Sequence, residues 1–245
     1  MKRVLLIVAY DGTEYYGWQA QSNVITIEEV LNRELSTLLK EQITVIGASR
    51  TDSGVHAMGN VAVFDTEARI PAERISYALN QRLPEDIVIQ ESREVPLDFH
   101  PRFTDTKKTY EYRIYNATHP MPLNRRYSHF VYNDIDVDRM QAAAKYLIGE
   151  HDFASFCSVH TQVKSTVRTI YSLDVIRDNQ EIVIRIQGNG FLYNMVRIIA
   201  GTLIQVGIHY YEPERVAWML EQKDRTVSGP TAPAKGLTLV KIEYL

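Results

Sequence analysis

The chain has 245 residues, 45% apolar and 23% charged, enough for one large domain or two of about 120 residues. Its 12 glycines and 9 prolines are too few for a disordered or collagen-like chain, and a single cysteine, Cys157, excludes an internal disulfide or a cysteine-held zinc. With 27 basic and 30 acidic side chains the net charge is −3, so a polyanion could be gripped only by local positive charge. No apolar run approaches the ~20 residues that span a bilayer. The short run Val4–Ala9 has no small-residue cleavage site behind it. It reads as a first strand rather than a signal peptide, and a reducing cytoplasm is the expected setting.

Arg3–Tyr10 is predicted to be that strand. Thr26–Lys40 follows as a helix, with Ile27, Val30, Leu31, Leu35, Leu38 and Leu39 on one face and Thr26 and Glu29 at capping-box spacing. Ile43–Gly47 and Asn60–Asp65 are predicted strands. Pro71 opens a helix to about Gln81, and Asp86–Gln90 is another strand. The order β-α-β-β-α-β is the ferredoxin-like arrangement shared by RRM domains. In the second half, Lys108–Tyr115 and Tyr127–Tyr132 read as strands, and Val137–Ile148 as a helix capped by Asp136. Ser165–Arg177 and Glu181–Gln187 form a predicted hairpin around Asp178-Asn179. Phe191–Val206 is a long apolar helix, Glu214–Gln222 a shorter one, and Leu237–Tyr244 a last strand. The expected fold is α+β: two ferredoxin/RRM-like halves, 1–104 and 105–245, sharing a continuous, mainly antiparallel sheet flanked by helices.

Three stretches carry possible chemistry. Ala48–Ala57, between two predicted strands, is too long for a tight hairpin and dense in small and ionisable residues: Arg50, Asp52, Ser53, Gly54 and His56. The plain structural alternative is a turn built on Asp52 with Gly54 at positive φ. A hydrolase using Asp52 and His56 lacks a G-x-S-x-G elbow. His56, His100, His151 and His160 lack metal-ligand spacing, and Gly188-Asn189-Gly190 lacks the third glycine of a dinucleotide fingerprint. The second stretch is Phe191–Ile199, where Arg197 interrupts apolar residues. It either snorkels to solvent or pairs with a carboxylate that it holds ionised. The third is Pro101–Val131, with six basic and two acidic side chains and Phe103, Tyr110, Tyr112, Tyr115 and Tyr127 interleaved. Such a mixture suits phosphate contact and base stacking, or an ordinary exposed strand. Tyr110, Tyr112 and Ile114 share one strand face, so at most one of the two tyrosines is free for a substrate.

The chain resembles the TruA family of tRNA pseudouridine synthases over nearly its full length. The motifs are Tyr10-Asp11-Gly12-Thr13, Gly17-Trp18-Gln19, Arg50-Thr51-Asp52 with Gly54-Val55-His56-Ala57, and Leu83-Pro84-Glu85-Asp86-Ile87. Phe99-His100-Pro101-Arg102-Phe103, Tyr110-Glu111-Tyr112, Gly190-Phe191-Leu192, Met195-Val196-Arg197, Ala232-Pro233-Ala234 and Gly236-Leu237 continue the match in order. The resemblance implies isomerisation of uridine to pseudouridine in the anticodon stem-loop of tRNA, at positions 38, 39 and 40 or a subset. It implies no cofactor, no metal, no DNA or membrane partner, and a homodimer that binds one tRNA across both subunits. Asp52 matches the catalytic aspartate and Tyr110 the tyrosine that packs on the target uracil. Arg197 matches the aspartate's basic partner, and Arg50 an arginine that holds the flipped nucleotide. Two residues depart from the pattern: Ser49 stands where glycine is usual, and Glu28 where glutamine is expected. Ser49 adds bulk to the active loop, which leaves room for a paralogue with a shifted choice of uridine. The reading from another class is a non-catalytic, RRM-like RNA-binding protein.

Overall fold

The structure is a computed structural model that describes residues 1–158 and 164–245; His160 lies outside them. Among the described residues the elements run β1 (Lys2–Tyr10), α1 (Ile27–Leu39), β2 (Ile46–Gly47), β3 (His56–Thr66), α2 (Ala72–Asn80), β4 (Ile87–Val95) and β5 (Thr106–Asn116). They continue with β6 (His129–Val131), α3 (Val137–Ala144), β7 (Gly149–Asp152), β8 (Val167–Asp178), β9 (Glu181–Gly188), α4 (Met195–Gly207), α5 (Arg215–Gln222) and β10 (Leu237–Tyr244). The chain is α+β, as its periodicities predict. It forms two compact units: Met1–Thr106 with Leu239–Leu245, and Lys107–Thr238.

In the first unit β1 lies antiparallel between β4 and β3, and β2 pairs antiparallel with β3. This is the β-α-β-β-α-β unit with its ferredoxin-like strand order. β1 is nearly continuous in apolar residues because both of its faces are covered. Leu5 and Ile7 join Val61, Val63 and Val95 in a cluster closed by Phe99, Ile242 and Tyr244. The alternate set Val4, Leu6 and Val8 is fully buried, as are the inward residues Ile27, Leu31 and Leu35 of α1 and Ile75 and Leu79 of α2. Each such side chain stabilises the fold by about 1.5–3 kcal/mol. The Thr26 hydroxyl caps α1 by accepting from the Glu29 N–H, at the position that the spacing predicts.

In the second unit β5, β9, β8 and β7 follow one another antiparallel, and the short β6 runs parallel to β5. The β8–β9 hairpin turns through Asn179 at φ 53°, a conformation that asparagine tolerates. The core helix is α4, with Met195, Ile198, Ile199, Leu203 and Val206 fully buried. Asp136 caps α3 by accepting from the Arg139 N–H at 3.0 Å.

Several boundaries differ from the sequence reading, and one strand is additional. β3 begins at His56 rather than Asn60, and β4 runs on to Val95 rather than ending at Gln90. The strand predicted over Ile43–Gly47 shrinks to Ile46–Gly47. The N–H groups of Ile43 and Val45 are taken by side chains of α1, Ser36 Oγ at 2.9 Å and Asn32 Oδ1 at 2.8 Å. The helix predicted from Phe191 starts at Met195, because Asn194 stands at φ 60° and breaks the helical run. The helix predicted to reach Ile148 ends at Ala144 and tightens into a 3-10 turn over Lys145–Leu147. Strand β7 is short and polar and has no alternation to betray it.

Candidate active site

The loop 48–55 lies in the first unit, between β2 and β3, and is tied down on every side. Its start is fixed by the Ala48 N–H donating to the Val61 carbonyl at 2.7 Å. Asn60, completely buried on β3, donates from Nδ2 to the Ser49 carbonyl at 2.9 Å and to the Tyr10 phenol oxygen at 3.3 Å. The Asn60 Oδ1 accepts from the Val61 N–H, which fixes the orientation of the amide. The Tyr10 hydroxyl, which receives Asn60, also shares a hydrogen bond with Thr51 Oγ1, 2.8 Å away. The Thr51 carbonyl accepts from the Trp18 N–H at 3.1 Å. Every polar group on this route is buried and satisfied, so the residue before Asp52 is held from both its side chain and its backbone.

Asp52 itself is half-buried at the turn. The turn is closed by the Val55 N–H on the Asp52 carbonyl at 3.1 Å and by the Gly54 N–H on the Tyr15 carbonyl at 3.2 Å. Gly54 adopts φ 77°, the left-handed conformation that its type predicts. Segment 11–18 presses on the loop so closely that a Cβ on Gly12 would lie 2.0 Å from the Val55 carbonyl oxygen. His56, buried below, accepts the Gly12 N–H on Nδ1 at 3.0 Å, with Asp11 Oδ1 3.1 Å away. The imidazole Nδ1 thus serves to join the two segments. Arg50 is exposed, and Ser49 before it is buried. Arg102 donates from Nε to the Gly47 carbonyl at 2.6 Å, at the root of the loop. Burial, and then the charge of Arg50, lower the Arg102 pKa. Glu28 accepts the Ala20 N–H at 2.8 Å, through an oxygen that a glutamine would also offer.

On the neighbouring surface a cavity of about 360 Å³ is lined by residues that include Asp11, Glu85 and Asp86. The Tyr15 hydroxyl donates to Asp86 Oδ1 at 2.6 Å, and burial followed by this bond raises the phenol's pKa. Three carboxylates make this cavity a poor seat for phosphate.

In the second unit the tyrosines of β5 are both buried, at 6% exposure for Tyr110 and 0% for Tyr112. The Tyr112 hydroxyl donates to the Pro233 carbonyl at 2.9 Å, and burial pushes its pKa well above the usual phenol range. Tyr112 is therefore a structural residue. Tyr110 stands edge-on to Phe191, ring centroids 5.3 Å apart. The apolar pattern predicts Phe191 in the helix; Asn194 starts the helix later and leaves Phe191 against Tyr110. Arg197, in the first turn of α4, does not trail into solvent. Its Nε donates to the Ala232 carbonyl at 2.8 Å and its Nη1 to Asn194 Oδ1 at 2.9 Å. The Ala232 N–H in turn donates to the Arg197 carbonyl at 3.1 Å. Two successive carbonyls, of Ala232 and Pro233, thus gather Arg197 and Tyr112.

The sequence singles out Arg50, Asp52, Tyr110 and Arg197, of which the first two share one loop of the first unit and the last two belong to the second. It does not single out the anchoring roles of Tyr10, Thr51, Asn60 and Arg102, because each acts through a partner remote in sequence, nor that of Asn194, whose left-handed backbone no local pattern marks. Arg113, counted as local positive charge, pairs with Glu111 at 2.9 Å, and Glu111 also receives Arg185. Among the described residues no group of His, Cys, Asp and Glu has the arrangement of a metal site.

The family model described as tRNA pseudouridine synthase matches residues 6–104 and 143–245. The chain belongs to the tRNA pseudouridine synthase family. It is 49% identical over 245 residues to tRNA pseudouridine synthase A of Ruminiclostridium cellulolyticum, covering all of both chains. The enzymes of the same name from Acetivibrio thermocellus and Geotalea uraniireducens are 47% and 46% identical, again over all of both chains. As a pseudouridine synthase, the chain is an isomerase, and its family resemblance read from the motifs is borne out.

Proposed function

We propose that this pseudouridine synthase isomerises uridines of the tRNA anticodon stem-loop, with Asp52 as the catalytic group. The observation that carries the reading is the loop itself: a carboxylate on a turn whose preceding residue is locked to β1 and β3 by buried hydrogen bonds. The reaction breaks the ribose C1′–N1 bond, turns the uracil, and forms C1′–C5; a proton leaves C5 and one is gained at N1. An ionised carboxylate at the ribose serves either by adding to C1′ or by taking the C2′ proton. Arg197, its fork aligned by Ala232 and Asn194, is the cation that keeps Asp52 charged and oriented in a dry site. Tyr110 packs on the uracil and Arg50 holds the flipped nucleotide, whose extrusion costs a few kcal/mol. The enzyme works as a homodimer in the cytoplasm, without a cofactor. Among the described residues no helix is long and apolar enough to cross a membrane.

The RRM-like alternative fails on one point. RRM domains stack bases on exposed aromatics of their central strands. Here Leu5, Ile7, Val61 and Val63 occupy that sheet face as part of a packed apolar cluster, with Leu5, Val61 and Val63 buried.

The test is tritium release from 5-tritiated uridine in tRNA, with binding measured in parallel. Asp52→Asn is expected to fold and hold tRNA with near wild-type affinity, because affinity resides in phosphate contacts and stacking. It is expected to release no tritium, since an amide is neither nucleophile nor base. Substantial release by Asp52→Asn refutes the assignment of the catalytic group. Tight binding with no release by the wild type on any tRNA refutes the enzyme reading.

A further inference from the structure

The segment Phe99–Phe103 matches a family motif, but nothing above gives its outer side chains a task. Its inner side is structural. Phe99 packs edge-on against Tyr244 at 4.9 Å, and the Tyr244 hydroxyl donates to the Pro101 carbonyl at 3.2 Å. Arg3 Nη1 donates to the Phe99 carbonyl at 2.8 Å. With these groups turned inward, the chain makes a turn that leaves His100 half-buried and Phe103 exposed. There the two rings stack, with centroids 4.1 Å apart and planes inclined by 21°. The His100 ring is itself fixed, because its Nδ1 accepts the Arg102 N–H at 3.2 Å.

Phe103 is 84% exposed, while the other six phenylalanines are buried or half-buried. A scattered apolar side chain on a surface is ordinary. A ring locked parallel to a second fixed ring is a different object: a flat, preorganised surface whose outer face is open. Its neighbour Arg102 is bonded to Gly47, at the root of the loop that carries Asp52, and lies within the electrostatic influence of Arg50. Flat aromatic surface beside guanidinium groups is the combination that binds single-stranded nucleic acid: the ring takes a base, the cations take the phosphates on either side. Because the rings are already in place, little ordering entropy is lost on binding.

We propose that the outer face of Phe103, backed by His100, is a stacking subsite for an unpaired nucleobase of the tRNA other than the uridine being isomerised. The proposal rests on the tRNA reading above. The subsite contributes to holding the RNA and takes no part in bond making, and it accepts any base, because every base offers a flat face.

Phe103→Ala and Phe103→Trp separate this subsite from its alternatives. Phe103→Ala is expected to weaken tRNA binding roughly ten-fold, the scale of one stacked base. Its kcat at saturating tRNA, read by tritium release, stays at the wild-type value. Phe103→Trp restores the affinity, and its added indole fluorescence is quenched by tRNA beyond the wild-type response. An unchanged Kd for Phe103→Ala overturns the proposal, as does a Phe103→Trp variant that binds as weakly as Phe103→Ala. A fall in light-scattering mass for Phe103→Ala overturns it too, for the ring would then be a contact between two copies of the chain. None of these outcomes touches the enzyme reading, which stands or falls on tritium release by the wild type and by Asp52→Asn.

Discussion

Arg197 lies in the first turn of the buried helix α4, where an arginine is costly unless its donors are used. Two of its nitrogens go to neutral acceptors, the Ala232 carbonyl and Asn194 Oδ1. These two acceptors fix the plane of the guanidinium, so the fork is aimed before any substrate arrives. Arg197→Met is expected to lower kcat by at least roughly 100-fold, the scale on which a buried electrostatic partner acts. Arg197→Lys is expected to recover little of this, because an ammonium cannot hold both anchors in one plane. Tritium release, with a melting curve to show that each variant folds, decides it; a fully active Arg197→Met variant shows that the charge has no catalytic part. At this scale the sequence is informative where a residue type is out of place, such as Arg197 among apolar neighbours. It is silent about Asn194, whose left-handed backbone and bond to Arg197 look from the sequence like one more helical residue. Nor could alternation on β5 separate Tyr110 from Tyr112; the bond from Tyr112 to Pro233, 121 residues away, does so.

Elements were legible where a period or a cap marks them. Thr26 and Asp136 cap helices at the positions that their spacing predicts. Side-chain bonds between elements were not legible, and they account for the shortened β2: Asn32 and Ser36 draw Ile43 and Val45 away from strand pairing. The active loop belongs to the same class of feature. Asn60 on β3 and Tyr10 at the end of β1 reach its backbone and Thr51, and neither bond is written in a local pattern. Removing the Tyr10 hydroxyl therefore frees Thr51 Oγ1 and leaves one donor of Asn60 unmatched, at a cost of about 1–3 kcal/mol in a buried site. Tyr10→Phe is expected to lower kcat several-fold through a loosened Asp52, with tRNA affinity unchanged. Thr51→Ser, which keeps the hydroxyl, should retain far more activity than Thr51→Val, which is nearly the same shape. Equal kcat for Thr51→Ser and Thr51→Val would show that the loop holds its position without this bond.

For the whole molecule the difficulty is charge. A chain of net charge −3 must grip a polyanion, and its basic stretch is weaker than its composition suggests, because Glu111 engages Arg113 and Arg185. The cavity beside segment 11–18 adds carboxylates rather than cations. The exposed arginines Arg50, Arg102, Arg125 and Arg126 are a small footprint for a folded tRNA. A two-fold pair of chains doubles that footprint without any new residue and presents it as one extended surface. Light scattering is accordingly expected to give twice the mass of the 28.2 kDa chain at micromolar concentration. The tRNA affinity should fall steeply with salt, with a log–log slope set by the phosphates contacted across both subunits. Charge reversal at an exposed position tests the two together: Arg126→Glu should reduce the slope and the affinity while leaving the dimer mass intact. A fully active monomer at micromolar concentration ends the dimer reading, and an affinity insensitive to salt ends the electrostatic one.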